Sequence, residues 1–193
     1  MKEYLKHDEW SIIEDGFYPE FNRVSESAFS LGNGRMGQRG NFEEDYSGDT
    51  LKGNYVAGVY YPDKTRVGWW KNGYPEDFAK VLNAPNWIGI NVYVDEEPLD
   101  LNTCTNITGF RRELNMKGGW YKRNFTATLP NSITVDVEVI RFLSLDIDEV
   151  GAIKYKITPP EELLEQYNKI LNKHKANIIT DTINLKKQIE IYF

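Results

Sequence analysis

One stretch constrains the fold of this chain more than any other: Ile133-Thr134-Val135-Asp136-Val137-Glu138-Val139-Ile140-Arg141-Phe142. Side chains alternate across a β-strand. Ile133, Val135, Val137 and Val139 therefore fall on one face, and Thr134, Asp136 and Glu138 on the other. A helix would scatter both sets around its circumference. Near the end the apolar phase passes to Ile140 and Phe142, which predicts a β-bulge or a strand buried on both faces. Residues 54–61, 88–94, 121–129 and 152–157 have similar strand character. Turn signals separate them at Lys117-Gly118-Gly119, Pro130-Asn131 and Asp95-Glu96-Glu97-Pro98. Short strands, frequent turns and no strand–helix alternation predict an all-β sandwich or barrel over residues 1–158.

After Thr158 the pattern changes. Pro159-Pro160-Glu161-Glu162 reads as a helix start, because proline fits the first turn and acids suit the positive helix end. Leu163, Leu164, Tyr167, Ile170, Leu171 and His174 then share one helical face. Residues 188–193 alternate again through Ile189, Ile191 and Phe193. The expectation is a helical tail with a short strand, over residues 159–193.

A chain of 193 residues can bury a sizeable core. Its net charge of -6 repels phosphate backbones and anionic lipid surfaces, so neither nucleic acid nor membrane is expected as a partner. The first residues lack an apolar signal core, and no apolar run approaches the roughly 20 residues of a membrane helix, which predicts a cytoplasmic protein. One cysteine, Cys104, makes no internal disulfide, and with His7 and His174 it makes a zinc site improbable. Cys104 reads as a small, half-buried strand residue.

Three groups of residues invite a chemical reading. Gly32-Asn33-Gly34-Arg35-Met36-Gly37 fits G-x-G-x-x-G. The dinucleotide motif needs a following helix, whereas here Gln38-Arg39-Gly40-Asn41 follows with no helical period; a tight turn between strands fits better. Glu43, Glu44 and Asp45, and then Asp146, Asp148 and Glu149, offer carboxylates for a glycosidase pair, but adjacent acids in turns are usually solvated. Trp69, Trp70, Tyr74 and Trp87 lie in a loop-like stretch with Gly68, Gly73, Pro75 and Pro85. Such a cluster suits sugar stacking, and suits a core or domain interface better.

The run from Glu26 to Gly40, Glu-Ser-Ala-Phe-Ser-Leu-Gly-Asn-Gly-Arg-Met-Gly-Gln-Arg-Gly, resembles the N-terminal signature of glycoside hydrolase family 65. Asn54-Tyr55-Val56-Ala57-Gly58-Val59-Tyr60, Ala84-Pro85-Asn86-Trp87, Leu99-Asp100-Leu101 and the segment from Phe110 to Gly119 are similar to further blocks of that family, in the same order. The resemblance runs from about Trp10 to Thr158. Pro19-Glu20-Phe21-Asn22-Arg23 and Gly68-Trp69-Trp70 look closest to its maltose-acting members.

The resemblance implies a large antiparallel β-sandwich of the galactose-mutarotase-like kind, followed in the family by a helical linker and an (α/α)6 barrel. The barrel carries the general acid and the phosphate loop. The implied parent reaction takes maltose and inorganic phosphate to glucose and β-glucose 1-phosphate, with no cofactor. No barrel segment is recognisable in this chain, so it is expected to be a truncated, non-catalytic domain with no catalytic residue of its own. A carbohydrate-binding module built on Trp69, Trp70, Tyr74 and Trp87 is the alternative. A sandwich short of strands exposes a sheet edge, which the tail or a second copy in a homodimer would cover.

Overall fold

The computed structural model describes residues 4–66, 73–160, 165 and 189–191. Strands β1 (Leu5–His7) and β2 (Ser11–Asp15) form an N-terminal hairpin, and a 3-10 turn (Pro19–Phe21) leads into helix α1 (Asn22–Ala28). Three short strands follow: β3 (Leu31–Gly32), β4 (Met36–Gln38) and β5 (Asn54–Val56). Strands β6 (Tyr60–Lys64) and β7 (Asp77–Val81) pair as a ribbon, and β8 (Tyr93–Val94) and β9 (Glu97–Pro98) as a tight hairpin. The long strands come last: β10 (Asn106–Asn115), β11 (Trp120–Thr128), β12 (Thr134–Leu143) and β13 (Gly151–Thr158), with β14 (Ile189–Ile191) beyond them.

The principal sheet has the order β1-β2-β10-β11-β12-β13-β14, antiparallel throughout. Its inner face contributes Phe110, Phe125, Ala127, Leu129, Val135, Val137, Val139, Ile153 and Tyr155 to the core. The opposing layer supplies Phe42, Tyr46, Ile88, Ile90, Leu99 and Leu101 from mostly irregular chain. The result is a β-sandwich in which each such side chain contributes about 1.5–3 kcal/mol on burial. The outer face is wet and polar. There the Thr126 hydroxyl donates to Asp136 at 2.6 Å, and Lys122 pairs with Glu138 at 3.1 Å, which is how an antiparallel sheet meets solvent.

The turns follow their sequence signals. Asp95 and Glu96 both take positive φ (52° and 63°) in the β8–β9 hairpin, and Gly119 (φ 67°) closes β10 onto β11. Strand β14 continues the sheet beyond β13, with Ile189 opposite Ile157 and Ile191 opposite Tyr155. The expected helical face from Leu163 to His174 lies outside the described residues.

Several expectations are corrected. Strand β12 has neither a bulge nor a second buried face: its pairing with β11 runs unbroken from Thr134 to Phe142. The alternation continues as well, because the inner position after Val139 is taken by Arg141, which is fully buried, while Phe142 is exposed. The strand expected at 54–61 divides at Gly58 (φ 83°) into β5 and β6. Of 88–94 only Tyr93–Val94 is strand; Ile88 and Ile90 are buried in irregular chain. Cys104 is half-buried against the core, but it lies in the turn before β10 and not in a strand.

Candidate functional site

The densest chemistry in the molecule lies inside it. Arg112 on β10, Arg123 on β11 and Arg141 on β12 all point to the inner face and are fully buried. Arg112 and Arg123 are directly opposite one another across the β10–β11 pair. Like charges so placed repel, so carboxylates must stand between them and their neighbours. Glu14, opposite Arg112 on β2, takes a two-pronged ion pair from its Nε and Nη2 at 2.8 and 3.1 Å. Arg123 Nη2 donates to Glu43 at 2.6 Å and to Glu44 at 2.5 Å. Arg141 Nη1 pairs with the other oxygen of Glu43 and donates to the Asn41 carbonyl at 2.9 Å. The Tyr155 hydroxyl closes the lattice by donating to Glu44 at 2.5 Å.

Aromatic faces complete the cage. The Arg112 guanidinium lies 5.4 Å from the ring centres of both Phe29 and Phe42, that of Arg123 4.7 Å from Phe42, and that of Arg141 4.3 Å from Tyr121. Some buried guanidinium atoms, Arg112 Nη1, Arg123 Nε and Nη1, and Arg141 Nε, have no hydrogen-bond partner. Ring quadrupoles supply the electrostatic partner that hydrogen bonds do not.

Helix α1 joins the lattice with its polar side. Asn22, Ser25 and Glu26 are buried and Val24 is exposed, the reverse of an ordinary amphipathic helix. Ser25 donates to Glu14 at 2.5 Å, and the Asn22 amide oxygen accepts from Arg112 at 3.2 Å. Glu26 accepts from the Leu51 backbone N–H at 2.7 Å and from the Thr50 hydroxyl.

These bonds decide the role of the acids. Burial by itself pushes the Glu43 carboxyl upward, but the guanidiniums of Arg141 and Arg123 outweigh it and hold the group below its ordinary value. A general acid needs the opposite shift. The expectation of solvated acids is corrected for Glu43 and Glu44, which are 1% and 2% exposed. They are buried because the segment after Gly40 crosses the inner face of the sheet, where three guanidiniums wait. Asp45 remains exposed beside Lys52 at 3.2 Å. Asp146, Asp148 and Glu149 lie on the loop after β12, where Arg35 pairs with Asp148 and Glu149 at 3.9 and 3.3 Å.

The Gly32–Gly37 motif is a hairpin turn between β3 and β4, with no helix after it. Gly34 takes φ 89°. The Asn33 side-chain oxygen accepts from the backbone N–H of Arg35 and Met36, at 3.1 and 2.7 Å. Its amide nitrogen donates to the carbonyls of Ser144 and Asp148, at 2.7 and 3.0 Å, and so ties the turn to the loop after β12. Gly40 is required by packing: a Cβ there would sit 2.7 Å from that of Phe29.

Of the aromatic candidates, Trp69 and Trp70 lie outside the described residues. Tyr74 is 56% exposed beyond the β6–β7 ribbon. Trp87 is half-buried against the core, and its ring lies over Gly151, where a Cβ would come within 2.5 Å. The ribbon itself is exposed along nearly its whole length and displays Tyr60, Tyr61, Phe78 and Val81. Burial pushes the Cys104 thiol up to about 11. Among the described residues, no His, Cys, Asp and Glu cluster is placed to hold a metal ion. Nor is any helix long and apolar enough to cross a membrane.

The sequence of the glycosyl hydrolase family 65 N-terminal domain matches residues 12–182. Maltose phosphorylase of Bacillus subtilis (strain 168) is 53% identical over 149 residues, which are 77% of this chain and 19% of that protein. Kojibiose phosphorylase of Thermoanaerobacter brockii is 33% identical over 155 residues, 80% of this chain and 18% of that protein. A solved chain provisionally described as a kojibiose phosphorylase from the human microbiome superposes with a TM-score of 0.72 at 31% identity, over 81% of this chain and 20% of its own. The chain thus spans about a fifth of the length of the curated relatives it matches.

Proposed function

The chain belongs to glycosyl hydrolase family 65, through that family's N-terminal domain, and we propose that it serves as a non-catalytic domain of an inverting disaccharide phosphorylase. The parent reaction would be phosphorolysis of maltose to glucose and β-glucose 1-phosphate. The 53% identity to a maltose phosphorylase supports maltose over sister disaccharides. The observation that carries the non-catalytic reading is the arginine lattice. It engages Glu43 and Glu44, the acids that would be first choice for sugar chemistry, in internal ion pairs closed to substrate. On this reading Trp69, Trp70, Tyr74 and Trp87 serve a domain interface or the edge of the parent's sugar site, and the chain needs no cofactor. On the same reading the chain works in the cytoplasm, where phosphate and sugar phosphates are available. Alone, it would form no glucose 1-phosphate.

The exposed aromatics of the β6–β7 ribbon favour one second reading, a stand-alone carbohydrate-binding module, because bare aromatic faces stack on the apolar faces of sugars. Tryptophan fluorescence titrated with maltose and maltodextrin separates the two. A flat titration is expected. A saturable change, lost in Trp70→Ala, would replace the domain reading with the binding-module reading.

A further inference from the structure

The outer face of the principal sheet carries a groove where the β10–β11 pairing slips. Register is lost between Thr108 and Arg111. Gly109 takes φ 59° there, with nothing within 4 Å of where a Cβ would stand. The bulge therefore leaves a gap in the layer of outer side chains. The groove that opens from it has a volume of about 520 Å³, within the usual range for small-molecule sites. Two rows of polar side chains floor it. Asn124, Glu138 and Lys156 stand opposite one another across β11, β12 and β13, and Thr126, Asp136 and Thr158 form the next row.

This floor is arranged in advance. The Thr126 hydroxyl donates to Asp136 at 2.6 Å, Lys122 pairs with Glu138 at 3.1 Å, and the Asn124 amide nitrogen donates to the Gly109 carbonyl at 3.1 Å. Each bond leaves capacity in the same group: the second oxygen of each carboxylate, and the amide oxygen of Asn124. Charge decides what fits. Asp136 and Glu138 are balanced by Lys122 and Lys156, so the groove as a whole is neutral. Its carboxylates repel a phosphate, and Lys122 already answers Glu138, so a free cation gains little. An uncharged ligand whose groups both donate and accept is the complement. Neighbouring strands lie about 4.8 Å apart, close to the separation of alternate hydroxyls on a pyranose ring. We propose that this groove binds an uncharged di- or oligosaccharide across the outer face of the sheet. The proposal goes beyond the domain reading, which asks for no sugar contact on this face, and it does not use the β6–β7 ribbon. No tryptophan is among the described residues that line the groove, so binding there is silent in the fluorescence titration above.

The test follows the amide NMR spectrum of the 193-residue chain during titration with maltose, with cellobiose and with glucose 1-phosphate. At least one of the two neutral sugars should shift the amides of residues 124–126, 136–138 and 156–158 saturably. A handful of net hydrogen bonds corresponds to a Kd of about 1–10 mM. Glucose 1-phosphate should bind at least tenfold more weakly. Asp136→Thr with Glu138→Thr should weaken the sugar at least tenfold while moving the Tm by less than about 2 °C, because both sites face water and threonine suits a strand. Spectra that stay flat with both sugars far above that concentration overturn the proposal. So do shifts that fall outside the groove, or that survive the double substitution unchanged. Glucose 1-phosphate binding as tightly as the neutral sugars would show an anion site at Lys156 and overturn it too. None of these outcomes bears on phosphorolysis, so the domain reading stands or falls separately.

Discussion

At the scale of the residue, this domain depends on three arginines placed where apolar side chains would be expected. Removing one carboxylate from such a lattice leaves an uncompensated buried charge, which costs about 3–5 kcal/mol. Glu43→Gln should therefore lower the unfolding free energy by about that much in urea denaturation, since Glu43 holds both Arg123 and Arg141. Adding Arg141→Met should cost less than the sum of the two single changes, because the second change removes the charge that the first had orphaned. The pH dependence has a definite sign. A carboxyl depressed in the folded state stabilises the fold above its unfolded value, near 4.5 for Glu43, and that contribution fades as pH falls from there through the folded value. Tyr155 acts at the other end. Burial and the neighbouring Glu44 raise its hydroxyl well above 10, so stability erodes as pH climbs past 10. The unfolding free energy should be level near neutrality and fall on both sides. Cys104, with its thiol raised to about 11, should react with a disulfide reagent at pH 8 much more slowly than a free thiol. None of the lattice partners was legible in the sequence. Neighbouring acids in a turn are normally solvated, and the arginines that bury Glu43 and Glu44 lie about 80 and 98 residues away along the chain.

At the scale of the element, the long strands were legible and the polar-faced ones were misread for a physical reason. Alternation located β11, β12 and β13 to within a residue or two, because half-buried strands follow period two. Carried past Val139 the same alternation puts Arg141 on the inner face; its charge is why the apolar phase reads from sequence as passing to Ile140 and Phe142. Helix α1 escaped notice because its inward residues are Asn22, Ser25 and Glu26, so hydrophobic periodicity has nothing to detect. The glycine turn was read correctly as a turn between strands; its long-range bonds through Asn33 were not readable from spacing. Asn33→Ala should speed hydrogen exchange across residues 144–150 at least tenfold, with little effect on exchange in β11. Gly40→Ala should destabilise by about 1–3 kcal/mol, because the new methyl meets the Phe29 side chain at 2.7 Å and its carbonyl at 3.1 Å.

At the scale of the whole molecule, the sandwich class and the family could both be read from blocks of sequence whose order matters more than any one of them. The structure adds how the layers are joined: a row of arginine, carboxylate and aromatic contacts crosses the inner face between the main apolar cluster and a smaller one of Phe29, Leu114 and Tyr121. A layer fixed by buried ion pairs tolerates little sliding, because each pair has one register. The central claim, that this domain carries no chemistry of its own, is tested most directly by incubating the purified chain with maltose and inorganic phosphate and following β-glucose 1-phosphate by phosphorus NMR. The expected result is no product above a protein-free control. Product that forms in proportion to the chain, and disappears when Glu43 and Glu44 are changed to glutamine in protein that remains folded, would contradict it.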